Sequence, residues 1–316
     1  MAQDPNILNP LANPIFLPVA QRFIWLFAAG FILIFLLNKF KFRGIWKTNL
    51  GERYLSWLII GFLFITFVFL GGIPAIVFLF LIMTLAIWEI GKISKIPKIY
   101  PYFLYALAAI SIIVTSYLPD KFYILPIIYF TILTTLTVRR NDKKGFFNLA
   151  ISFYYAVWII FFLSHFILLG HLNNNFDNTK SLLFLIGFAV PLADIGAYVV
   201  GKAFSKTSLN KYKIASNISQ NKIWAGALGN IIGAGIGILI MYFVIKNYFS
   251  ITQLIFLAII IGIFSVIGDM NESLVKRYFN VKDASDIIPG HGGILDRIDS
   301  VMRVIVVVYY FALIVI

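Results

Sequence analysis

Residues 54–88 read YLSWLIIGFLFITFVFLGGIPAIVFLFLIMTLAIW, with no Asp, Glu, Lys, Arg or His among them. A helix needs about 20 mostly apolar residues to cross a bilayer core. This stretch offers two such runs, Tyr54–Leu70 and Ile73–Trp88, divided only by Gly71-Gly72. So short a divider predicts a tight helical hairpin. The runs are too long and unbroken for barrel strands, which take about 10 residues of alternating character. Working outward on the same criterion gives the further spans Gln21–Leu37, Ile99–Leu118, Phe122–Val138, Phe146–Gly170, Ser181–Val200, Ile223–Ile245, Ile251–Ile267 and Ser300–Ile316. The fold expected is all-α: a polytopic transmembrane helical bundle of about ten spans.

The composition agrees. Of 316 residues, 61% are hydrophobic and 12% charged, the latter about half the share of a soluble domain. Mean hydropathy is +0.92. A soluble protein so composed would expose large apolar patches. The absence of cysteine excludes disulfides, thiolate metal sites and cysteine nucleophiles. Met1–Asn13 lacks a basic n-region and an adjoining apolar h-region, so no cleaved signal peptide is expected.

The scarce charges are lopsided, with 26 Lys+Arg against 13 Asp+Glu. Placed on the ten spans, 21 of the 26 basic residues fall in the loops after the odd-numbered spans. These include Lys39, Lys41, Arg43, Lys47 and Arg53 after the first span, and Lys202, Lys206, Lys211, Lys213 and Lys222 after the seventh. By the positive-inside rule those loops are cytoplasmic and both termini lie outside. The expected location is the inner (cytoplasmic) membrane. Orientation thus accounts for the net +13, and nucleic-acid binding is not needed to explain it.

A bundle of this size suits a transporter, a channel, a scaffold or an enzyme acting on lipids, and no inverted repeat of the transporter kind is evident. The acidic residues narrow the choice. Six are spread over Met1–Val190, whereas Asp269–Asp299 alone holds six. The chain is therefore expected to divide into an N-terminal transmembrane region, 1–180, and a C-terminal transmembrane region, 181–316, which carries the candidate site with cytoplasmic loops 201–222 and 268–299. Asp269 and Ser273 are i,i+4 and share a helix face, as do Asp296 and Asp299 at i,i+3. Between them Pro289-Gly290-His291-Gly292-Gly293 cannot form a stable helix, and its N–H groups could approach a phosphate closely. Carboxylates beside Lys276, Arg277, Lys282 and Arg297 suit Mg²⁺ bridging substrate phosphates. The residues alone also admit a plainer reading, in which acids at a helix start meet the macrodipole and pair with surface bases.

The run Ser273-x-Val275-Lys276-Arg277-x4-Lys282-Asp283-x-Ser285-x2-Ile288-Pro289-x-His291-Gly292-Gly293-Ile294-x-Asp296-Arg297-Ile298-Asp299 resembles, without departure, the signature of phosphatidate cytidylyltransferases, the CDP-diacylglycerol synthases. Asp194-Ile195-Gly196-Ala197-Tyr198-Val199-Val200-Gly201-Lys202 is similar to a second family element. Ile218-Ser219-Gln220-Asn221-Lys222-Ile223-Trp224-Ala225-Gly226 matches a third at Ser219, Lys222, Trp224 and Gly226 but departs at Gln220, Asn221, Ile223 and Ala225. The resemblance covers roughly residues 190–300.

It implies that CTP and phosphatidate give CDP-diacylglycerol and pyrophosphate, with Mg²⁺ required and a second cation allowed. It makes Asp269 and Asp296 the leading metal ligands, with Asp299 in support. Ser273, Lys276, Arg277, Lys282 and Arg297 would hold phosphate, and His291 would contact a phosphate or the leaving group. Asp283, Ser219, Lys222, Asp194, Tyr198, Gly292 and Gly293 would line the substrates. Two alternatives stand beside it. One is a paralogue acting on another lipid phosphate, motivated by the third-element departures. The other is a non-catalytic membrane or transport protein with a cation or headgroup site.

Outside these motifs, Glu89 reads as a solvated partner of Lys92, and His165 as a bundle histidine bonded to a neighbour. Gly229, Gly233 and Gly237 form small-xxx-small steps for close helix packing. That stripe and the family together allow a homodimer.

Overall fold

The computed structural model describes residues 13–37, 49–141, 143–172, 180–288 and 292–315. Lys39, Lys41, Arg43, Lys47 and His291 lie outside these. Among the described residues, ten helical segments are long and apolar enough to cross a membrane. The chain runs through α1 (Phe16–Leu37), α2 (Asn49–Leu70), α3 (Gly72–Ser94), α4 (Ile99–Tyr117) and α5 (Leu125–Arg140). Next, α6 (Gly145–Tyr155) and α7 (Phe162–His171) form one span through a π-helical turn at Ala156–Phe161. Then come α8 (Lys180–Phe204), a hairpin of β1 (Lys213–Ala215) and β2 (Ser219–Ile223), α9 (Trp224–Ile245), α10 (Ile251–Tyr278) and α11 (Leu295–Val315).

The opening stretch folds as expected. Gly71 and Gly72 take φ of +60° and +46°, which glycine adopts at little cost, and α2 reverses into α3 there. Lys180 Nζ donates to the Phe69 carbonyl at 2.8 Å, satisfying a helix-end acceptor.

The glycine stripe of α9 packs inside the chain. A Cβ at Gly229, Gly233 or Gly237 would fall on the backbone of Gly196, Leu192 or Ala189 respectively, all on α8. The stripe is therefore covered by α8 and offers no face for a second copy. Pro191 sits within α8, which is continuous through it.

Helix α10 departs from its hydropathy outline. Ser250 starts it with a reciprocal cap, Gln253 N–H to Ser250 Oγ at 3.3 Å and Ser250 N–H to Gln253 Oε1 at 2.7 Å. It then continues beyond Ile267 to Tyr278, carrying its acidic and basic residues on helical spacing. Two apolar cores flank it. One joins α1 and α2 to α8–α11, and the other joins α3–α7 to Val275, Ala284, Leu295 and Met302. Both cores cross residue 180. His165 is fully buried, with Nδ1 2.9 Å from the Phe161 carbonyl oxygen.

Candidate functional site

Asp269, Glu272 and Lys276 follow one face of α10 at spacings of three and four. Helix α11 approaches that face closely because Gly268 has no side chain: a Cβ there would lie 2.6 Å from the Asp299 carbonyl oxygen and 2.8 Å from Ser300 Cα. Ser300 Oγ donates to the Ser265 carbonyl at 3.2 Å, fixing the register. The result brings ligand oxygens of Asp269, Glu272 and Asp299 within 4.8 Å of one another. Glu272 is 2% exposed and Asp299 7%, so their charges are held out of water where repulsion is strong.

Basic residues reach this group from two elements. The β1–β2 hairpin carries Lys222 into an ion pair with Asp269. On α10 itself, Lys276 Nζ lies 2.8 Å from Glu272 Oε2 and 2.5 Å from Asp296 Oδ1. Lys276, expected at the phosphates, is thus clasped between two carboxylates.

Asp296 is bonded on both of its oxygens. Its Oδ1 is taken by Lys276, and its Oδ2 accepts from Ala284 N–H at 3.1 Å and Gly293 N–H at 2.7 Å. It ties the loop to α11 and, through Lys276, to α10, beside the three clustered carboxylates. Glu272, not singled out from the sequence, joins Asp269 and Asp299 in the cluster. The helical spacing from Asp269 was a signal for Glu272, since i and i+3 share a face.

Glu89 also departs from expectation. It is fully buried and accepts from Ser285 Oγ at 2.6 Å, Ile294 N–H at 2.9 Å and Leu295 N–H at 2.8 Å. A carboxylate from α3 therefore caps the start of α11, across some 200 residues of sequence. Nothing in the local sequence announces this.

Two cavities meet at the site. The smaller, about 480 Å³, contains the cluster and is lined by six acidic side chains and three basic ones. The larger, about 990 Å³, extends toward α1 and α2. Asp194, Tyr198, Asp283 and Arg297 line both. Asp194 accepts from Ser265 Oγ at 3.0 Å.

The remaining expected residues are distributed unevenly. Ser219 and Lys222 line the smaller cavity, Lys282 and Gly292 the larger. Ser273 Oγ lies 3.5 Å from Asp269 Oδ1. Arg277 is exposed and donates to the Val281 carbonyl at 3.3 Å, outside both cavities. Gly293 is buried, and its N–H, expected to be open to a phosphate, is used by Asp296. Its missing side chain makes room for Glu89, since a Cβ would lie 2.6 Å from Glu89 Oε1.

A sequence model of the cytidylyltransferase family matches residues 51–315. The chain belongs to that family. The match takes in α2–α11, well beyond the 190–300 segment that carries the motifs, and leaves out α1. Among curated relatives, the phosphatidate cytidylyltransferase of Synechocystis sp. is 42% identical over 135 residues, covering 42% of this chain and 44% of the relative. That of Haemophilus influenzae is 38% identical over 138 residues, 41% of this chain and 45% of the relative. That of Bacillus subtilis is 33% identical over 189 residues, 60% of this chain and 65% of the relative. The chain thus spans about half to two thirds of the length of these relatives. In family terms, the acidic signature supplies both a carboxylate cluster and the loop that supports it.

Proposed function

We propose that this family member is a membrane-embedded nucleotidyltransferase that makes CDP-diacylglycerol and pyrophosphate from CTP and phosphatidate. The observation that carries this reading is the carboxylate trio Asp269, Glu272 and Asp299, flanked by Lys222 and Arg297, where two cavities meet. An oxygen of the lipid phosphate forms a bond to the α-phosphorus of CTP, and the bond from that phosphorus to the bridging oxygen of the β-phosphate breaks. The electron pair leaves with pyrophosphate, and no protein nucleophile is required.

The donor set fits Mg²⁺. Three carboxylates supply hard oxygens, and the acid-rich lining would otherwise repel a triphosphate. Asp269, Glu272 and Asp299 would hold the ion, with Asp194 as the carboxylate open to a second cation. When bound, the metal supplies charge neutralisation on phosphate oxygens. The protein's own part is placement: Lys222 and Arg297 offer positive charge to both polyanions, and Lys276 holds Glu272 and Asp296 in position. Catalysis of this kind rests on orientation and electrostatics.

The bias of the basic loops supports a cytoplasmic site in the inner membrane with both termini outside. A homodimer rests on the family resemblance alone, and light scattering of the detergent-solubilised protein reads it. The central test supplies purified protein with labelled CTP, Mg²⁺ and a panel of lipid phosphates and follows pyrophosphate. Turnover with phosphatidate supports the proposal. Turnover only with another lipid phosphate makes the chain a paralogue of different specificity, and no turnover by folded protein with any lipid removes the enzymatic reading.

A further inference from the structure

The two cavities differ in kind. The smaller holds twice as many acidic as basic side chains and suits a metal-bound triphosphate. In the larger, Arg53, Lys282 and Arg297 are matched in number by Asp194, Asp283 and Asp286, so a single phosphate meets no acidic surplus. Its distinguishing feature is an apolar wall. Leu26, Gly30 and Ile34 follow one face of α1 at spacings of four, about 12 Å of helix. Trp57 faces them from α2, and Ile195 from α8.

The two helices are built to keep this space. Tyr54 OH on α2 donates to the Phe27 carbonyl of α1 at 2.9 Å, locking them side by side. Gly30 borders the same junction, where a Cβ would meet the Tyr54 ring at an ordinary contact distance of 3.4 Å. Helix α1 is the least buried of the ten spans, so within a bilayer most of its surface would meet lipid. Basic side chains at one end, an apolar trough along a lipid-facing helix and a junction with the acidic cavity match an amphipathic monophosphate.

We infer that the larger cavity seats the lipid phosphate substrate, with its headgroup near Arg53, Lys282 and Arg297 and one acyl chain along the α1–α2 wall. Helix α1, which lies outside the family match, is then the element that selects the acyl chain. This rests on the proposed reaction. The phosphate meets the nucleotide where Asp194, Tyr198, Asp283 and Arg297 line both spaces.

The test compares dioleoyl and dihexanoyl phosphatidate in mixed micelles with Mg²⁺ and CTP, using Ile34→Trp and Arg53→Gln. Filling the trough with Ile34→Trp raises the KM for the dioleoyl lipid about 10-fold and leaves the dihexanoyl lipid and CTP within about 2-fold. Removing the exposed cation with Arg53→Gln raises KM for both lipids roughly 5-fold and leaves CTP unchanged. Unaltered lipid KM values in both variants, or CTP values that move in parallel, overturn the assignment.

A binding measurement stands apart from turnover. Quenching of Trp57 by brominated phosphatidate, read as the difference from Trp57→Phe, exceeds that by brominated phosphatidylcholine at the same mole fraction. If the unaltered chain releases no pyrophosphate with any lipid phosphate, the enzymatic reading fails and the quenching decides the cavity alone. Selective quenching keeps it as a lipid-phosphate site, and equal quenching by both lipids removes it.

Discussion

Glu89→Ala tests whether the N-terminal half holds the site in shape. The carboxylate accepts from Ser285 Oγ, Ile294 N–H and Leu295 N–H at 2.6, 2.9 and 2.8 Å. Leu295 is fully buried, so water does not replace the lost acceptor. A buried donor left unsatisfied costs about 1–3 kcal/mol, and losing a carboxylate at a helix start adds about 0.3–1 kcal/mol. With two backbone donors affected, the start of α11 should open more easily by about 3 kcal/mol. That energy corresponds to roughly 10²-fold faster amide exchange if opening is local.

Hydrogen exchange by mass spectrometry on peptides covering 285–295 reads this directly. Glu89→Gln retains one acceptor oxygen and the side-chain shape, so it should restore much of the protection. Pyrophosphate release should fall in the same order, alanine below glutamine below the unaltered chain, while helix content by circular dichroism stays constant. Unchanged exchange at 285–295 in Glu89→Ala would refute the reasoning, because those bonds would then carry no local stability.

Asp269→Asn and Asp299→Asn should each lower the rate at least ~10²-fold with the fold intact, as expected for losing a metal ligand. Mg²⁺ should stabilise the detergent-solubilised protein by about 1–3 kcal/mol at saturating ion, read as a raised unfolding midpoint, and Asp299→Asn should abolish that rise. Asp296→Asn should also lose at least ~10²-fold in rate, but it should keep the Mg²⁺-dependent midpoint shift, since Asp296 supports the loop from outside the cluster. Gly233→Val drives a side chain into the Leu192 carbonyl across the α8–α9 contact and should destabilise by about 3 kcal/mol or more, read by thermal unfolding.

Legibility in the sequence followed the range of the interactions. The spans were legible because the bilayer imposes one length and one polarity on every helix. Asp269 and Asp299 were legible as chemistry because costly acidic groups were concentrated in a short segment. Glu272 was within reach of the same helical arithmetic, three residues from Asp269. The bonding of Asp296 was out of reach for a definable reason. Asp296 and Asp299 both reach α10, Asp296 through Lys276 and Asp299 beside Gly268, and which of them also meets the loop amides is a tertiary fact. The contact at Gly268 brings Asp299 to the cluster, while Asp296 is shared between Lys276 and the loop amides. Glu89 was out of reach, because its donors lie about 200 residues away and its neighbour Lys92 offered a simple local explanation.

The charge asymmetry then acquires a physical sense. A chain with a net charge of +13 lines its smaller cavity with twice as many acids as bases. Held partly out of water, those acids repel one another, and three basic side chains offset only part of that. A site built this way is incomplete without added positive charge. If Mg²⁺ provides it, the cluster should bind the ion even without nucleotide, and the midpoint shift should appear with Mg²⁺ alone. A shift seen only when CTP is also present would mean that the nucleotide brings the ion with it. The three carboxylates would then serve to receive a metal–nucleotide complex and not to hold a resident ion.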